Sequence, residues 1–267
     1  MIIFLRELKR NRNAFIIWTV LTILLIFSQM AVYPSFAENS LASQEALLAK
    51  YPAALVDAFG IAEIDMSNVL GYFAVKIFPL VALVGSIYIM LLATGILSKE
   101  QGEKTIEFLL SKPISRKSVV TSKLLCVLFY TTLYNLTLYL STFGMLEIYK
   151  NEAYSLTVHL LLWVSLFLLN AVFAAIGFLI SVFVIKTKTN YPISIGVVIG
   201  SYLISVVASS SEKVESLKYL SFFKYSDAAE IVANEGIAPV YLVLFAILII
   251  ISVSLSYFIF NRKRITV

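Results

Sequence analysis

Six stretches of this chain are apolar for long enough to cross the hydrocarbon core of a bilayer, which takes about 20 residues of helix. They lie at about 14–34, 72–97, 123–146, 155–184, 192–210 and 238–260 of 267 residues. The hydrocarbon offers no water to unpaired backbone groups, so each stretch is expected to close its own hydrogen bonds as a helix. Composition points the same way. Sixty per cent of residues are hydrophobic and 14% charged, where soluble domains carry roughly 25% charge. The expected class is an all-α integral membrane protein with six transmembrane helices.

Charge sets the orientation. Fifteen of the 21 Lys and Arg fall on one side, at the N-terminus (Arg6, Lys9, Arg10, Arg12), between spans two and three, after span four (Lys186, Lys188) and at the C-terminus. Five fall on the other side, and Lys76 lies inside span two, where its long stem lets it snorkel outward. Both termini are therefore expected in the cytosol of a cell-membrane protein. Twelve of the 16 acids lie outside, so the net charge of +5 reflects topology and gives no sign of a nucleic-acid partner. Ser35-Phe36-Ala37 is a passable signal-cleavage sequence, but the apolar run before it exceeds a signal core. Residues 1–13 read as an amphipathic helix on the inner surface, or as a plain basic lead-in to span one.

Two outer segments are too polar to span. Residues 35–71 read as an interfacial helix broken at Pro52. Residues 211–237 read as short helices dipping into the outer leaflet, with Tyr219, Phe222, Phe223 and Tyr225 at headgroup level, or as a plain loop.

Catalytic patterns are missing. No HExxH and no GxSxG occurs. The middle third of every span lacks Asp and Glu, the groups that proton relays and ion-coupled carriers use. The single Cys126 and single His159 form no metal-ligand spacing, and both are expected as packing residues, His159 near a membrane boundary. Gly102-Glu103-Lys104-Thr105 superficially resembles the end of a phosphate-binding loop, but a Glu separates Gly from Lys and the upstream Gly is absent. No catalytic residues and no metal are expected, and any uphill transport needs energy from another subunit.

Span three carries a polar stripe at helical spacing, Tyr130, Tyr134, Thr137 and Ser141, flanked by Asn135. It fits either a translocation path or interhelical hydrogen bonds. Span five holds Gly196 and Gly200 four apart, a pattern that permits close helix packing.

The loop between spans two and three, KEQGEKTIEFLLSKPISRKSVVTSK from Lys99, exceeds the needs of a connector. Ser98 with Gln101 fits a capping box, and Thr105 to Ser111 can form about two helical turns. Glu103 and Glu107 share a face. Pro113 disfavours continuing that helix, and Ser115 then offers an N-cap for a helix running through Lys123 into span three. Phe108, Leu109 and Leu110 require cover, under the bundle or in a groove of another protein.

The series Glu100, Gly102, Thr105, Ile106, Glu107, Leu109, Leu110, Ser111, Pro113, Ile114, Ser115, Arg116 and Lys123 resembles the signature of ABC-2 type transporter permeases, the membrane subunits of one class of ATP-binding-cassette exporters. One departure is Lys99-Glu100-Gln101, where a second acid is expected beside Glu100. The resemblance implies an ABC-2, type V exporter-like transmembrane domain. It implies that Glu100, Gly102, Glu103, Thr105, Ile106, Glu107, Phe108, Leu109, Leu110, Pro113 and Arg116 form a coupling helix docking on a separate ABC ATPase. Two copies of that ATPase would hold ATP and Mg. A second permease, identical or related, would complete a path that opens outward when the ATPase dimer closes. Substrates of similar small permeases include amphipathic or antimicrobial peptides and drugs. Sodium or lipid-linked-polymer exporters share the signature, and a non-transporting membrane scaffold is the rival from another class.

Overall fold

Helix signals and hydropathy translate directly into rods. The computed structural model describes residues 2–38, 64–102, 115–184, 187–209 and 219–263. In chain order come α1 (Ile2–Met30), α2 (Tyr33–Glu38), α3 (Val69–Tyr72), a π-turn (Phe73–Ile77), α4 (Phe78–Gly102), α5 (Arg116–Tyr149), α6 (Leu156–Phe183), α7 (Thr187–Ser209), a 3₁₀ turn (Lys224–Ser226), α8 (Ala228–Asn234) and α9 (Pro239–Arg262). Ser115 and Ser155 cap α5 and α6, accepting the amide hydrogens of Ser118 and Val158, so two rods start where a hydroxyl meets an orphan donor. Six apolar rods are long enough to cross a membrane: Ile3–Glu38, Val69–Glu100, Arg116–Tyr149, Leu156–Phe183, Lys188–Ala208 and Pro239–Arg262. The chain is an all-α membrane domain.

Three features bear on the expectations. First, α1 runs unbroken from Ile2, so residues 2–13 continue into span one, as the lead-in reading has it, with no break before the span. At 1.5 Å per residue α1 is about 44 Å long, more than the roughly 30 Å of hydrocarbon, so its basic end has room to project. Second, Ser98 does not cap a helix. It sits inside α4, its hydroxyl donating to Thr94 O at 2.7 Å. Third, the 219–234 segment turns inward. Phe222 and Phe223 pack on Phe173 of α6 at 5.6 Å, and Tyr225 stacks on Tyr241 of α9 at 5.2 Å, so these rings fill the bundle while Tyr219 stays exposed. Ser201 of α7 holds the segment: its carbonyl accepts from the Ser221 hydroxyl and its own hydroxyl accepts from the Phe222 amide. Burial alone would discharge Lys224, but Asp227 and Glu230 outweigh it and hold the ammonium above its ordinary range. The 39–63 outer segment lies outside the described residues, and with it the helix expected around Pro52.

The rod Val69–Glu100 and α6 form the axis. Their most apolar windows are 72% and 61% buried, against 17–39% for the other four rods, which present apolar flanks outward. The two axial helices touch at Gly177, where an added Cβ would meet Ala93 Cβ at 2.9 Å and Met90 Sδ at 3.0 Å. Small residues allow such approach where lipid supplies no hydrophobic drive between helices.

Candidate functional site

The densest polar site lies at the basic end of the bundle, where α1, α4 and α5 converge. Lys123 of α5 is fully buried. Its ammonium lies 3.1 Å from Glu7 Oε1 of α1 and 3.2 Å from Glu100 Oε1 of α4, and donates to Ile96 O at 2.7 Å. Arg6 pairs with Glu100 and stands 3.8 Å from Glu7. Glu7 and Glu100 are nearly inaccessible to solvent, while Arg6 is half-exposed at the rim. Among the described residues, two cations thus meet two carboxylates, three of the four groups buried. Desolvating such charges costs several kcal/mol each, and they persist buried only as mutual partners.

Lys123 counts toward the basic cytosolic side in the sequence, yet it is buried. Its stem enters the core one turn before buried Cys126, beside Val119, Val120 and Val127. Glu7 was missed as a site residue. The available signal was its isolation, a single acid among Arg6, Lys9, Arg10 and Arg12.

The cluster stands at the root of the long loop. Glu100 and Gly102 end α4, and the chain returns at Ser115 and Arg116. Arg116 bonds the carbonyls of Asn261 and Lys263 at 3.3 and 2.8 Å, fastening α5 to the end of α9. Glu103, Thr105, Ile106, Glu107, Phe108, Leu109, Leu110 and Pro113 lie outside the described residues.

The stripe on α5 divides. Tyr130, Tyr134 and Asn135 are buried between helices. Tyr130 donates to Leu8 O of α1, Tyr134 pairs with the Thr22 hydroxyl at 2.9 Å, and Asn170 of α6 donates to Asn135 Oδ1 at 3.1 Å. Ser86 of α4 completes the ladder on Asn170 at 3.3 Å. Thr137 and Ser141 are half-buried and bond carbonyls of their own helix at 2.8 Å. His159 lies in the first turn of α6. It is buried, accepting from Trp163 Nε1 at 3.0 Å, with Thr142 Oγ1 3.2 Å away and Tyr139 stacked on its ring.

Helix α7 turns Ser194, Val198 and Ser201 inward, with Ser194 bonded to Thr94 at 2.8 Å. Gly196 and Gly200 face away: a Cβ on either would meet no described atom within 4 Å. Among the described residues of this chain no atom therefore packs on that face.

A crevice of about 110 Å³ opens over α4, between α1 and α7, at the same basic end. Asn11, Trp18, Tyr88, Lys99, Asn190 and Tyr191 line it, and Trp18 stacks on Tyr88 at 5.8 Å. The buried Tyr88 hydroxyl and Asn190 Oδ1 have no hydrogen-bond partner among the described residues. No group of His, Cys, Asp and Glu among them is arranged to hold a metal. The site therefore offers electrostatic fastening and amphipathic lining, with no reactive constellation.

Compared with known families, the chain matches the one described as ABC-2 family transporter protein over residues 1–265. No curated protein matches it.

Proposed function

Because this chain belongs to the ABC-2 family of transporter proteins, a membrane transport component partnered by an ABC ATPase, we propose that it is the permease subunit of an exporter in the cell membrane. Its termini lie in the cytosol, where 15 of its 21 basic residues gather. The 103–113 segment docks on a separate ATPase subunit, two copies serving two permeases, and ATP with Mg is held there. The outward Gly196/Gly200 face of α7 is the surface offered to the second permease.

The observation that carries the reading is the placement of the loop. It leaves α4 and enters α5 beside a buried ion cluster joining three rods, so force on it has a stiff anchor. The crevice supports an amphipathic cargo, such as a peptide or drug, because its lining combines aromatic Trp18, Tyr88 and Tyr191 with polar Asn11, Lys99 and Asn190. Tyr130, Tyr134 and Asn135 already serve interhelical bonds, which leaves Thr137 and Ser141 as the stripe residues available to a path.

A tagged chain purified from native membranes is expected to bring down an ABC ATPase. Glu107→Lys and Phe108→Ala are expected to lower the ATP hydrolysis of that complex several-fold while the permease still inserts. Recovery of the chain without any ATPase favours a membrane scaffold and overturns the exporter reading.

A further inference from the structure

We propose that Lys123 is a positioning residue for coupling: it fastens the ends of α1, α4 and α5 into one rigid block that carries the 103–114 segment. The inference rests on the docking reading above for its purpose, though the block itself is a property of this chain alone.

An ammonium has three donors and no acceptor. Here it meets one carboxylate on α1, one on α4 and the Ile96 carbonyl of α4. Two donors are bonded, to Glu7 and to the Ile96 carbonyl, and the Glu100 carboxylate stands 3.2 Å away as an ion pair, so α5 is fixed against two other helices at one point. Low local dielectric strengthens each pairing relative to a surface ion pair. The contact does not end there. Ile3 of α1 and Val119 of α5 form their own small apolar cluster on the terminal side. Tyr130 of α5 donates to Leu8 O of α1, so α1 meets α5 at Ile3, Glu7 and Leu8.

Position gives the block its use. Glu100 is in the last turn of α4 and Lys123 in the second turn of α5, so one ion pair closes the base of the whole loop. A push on an open loop would bend whichever flank is softer. With its base closed, the same push displaces α1, α4 and α5 together. Arg6 at the rim is shared between both carboxylates.

The test is a set of distances. Spin labels on Arg10→Cys of α1, Gly102→Cys of α4 and Lys117→Cys of α5, in a Cys126→Ser background, report the three ends pairwise. In the isolated permease, Lys123→Met is expected to broaden these distributions about twofold, and Lys123→Arg to broaden them little. If Lys123→Met fails to fold, Glu7→Gln removes one arm and is expected to broaden only the distances to α1. In the co-purified complex, the three distances are expected to stay constant between the nucleotide-free and ATP-vanadate states. Cross-linking Ile3→Cys to Val119→Cys is expected to spare ATP hydrolysis by that complex. Unchanged widths in both variants, distances that differ between nucleotide states, or hydrolysis lost on cross-linking and restored by reductant overturn the rigid block. Failure of the wild-type chain to bring down an ATPase would instead sink the docking reading and leave the widths to judge the block.

Discussion

Gly177 shows how one absent side chain sets the axis of the bundle. Met90 and Ala93 occupy the space its Cβ would need. Gly177→Ala is expected to destabilise by about 1–3 kcal/mol through overpacking, and Gly177→Leu by more. Gly144, with no described atom within 4 Å of a built Cβ, supplies the control, since Gly144→Ala should leave the melting temperature in detergent unchanged or raised. Equal losses at the two positions would mean that helix contact does not set the requirement at Gly177. Gly177 stands four residues before Ser181, a spacing that permits close helix packing, but the partner helix is not written in it. Both glycines sit in long helical stretches, and the difference lies in which helix passes opposite. The same holds for His159, whose burial against Thr142, Trp163 and Tyr139 follows from three residues meeting it in space.

The helices themselves were far more legible. Ser115 caps α5 as its place after Pro113 predicts, because a hydroxyl ahead of a helix-forming run satisfies an orphan amide whatever the tertiary context. Ser115→Ala is expected to cost about 1 kcal/mol. The loss should concentrate as faster hydrogen exchange in the first turns of α5, leaving α6 as in the parent. Uniform exchange along both helices would remove the cap's role. Ser98 shows the limit of the same rule. A capping pattern followed it, yet its hydroxyl turned back to Thr94, and Asn190 of α7 donates to it at 2.5 Å. With a helix neighbour covering that turn, continuing α4 left no donor orphaned. The aromatic run at 222–225 was likewise visible as an amphipathic segment. Its insertion depended on Ser201, Phe173 and Tyr241, residues of three other elements.

For the molecule as a whole, charge asymmetry argues that both termini and the long loop share the cytosolic side. Single cysteines at Ser40→Cys and Thr266→Cys, in a Cys126→Ser background, test it. A membrane-impermeant maleimide applied to intact cells should label the first and spare the second until the cells are opened. The reverse pattern would invert the proposed direction of transport.

Span number, helical class and the exceptional loop were all determined by the sequence alone, because the bilayer acts on each segment separately: about 20 apolar residues must cross as a helix, whatever the rest of the chain does. What only the tertiary structure decided is which polar groups meet. Glu7 and Lys123 are 116 residues apart, and nothing local marks either as the other's partner. Their pairing depends on α1 and α5 passing side by side against the end of α4. In a medium that solvates no isolated charge, that packing turned Glu7, Lys123 and Glu100 into the buried base of the loop between spans two and three.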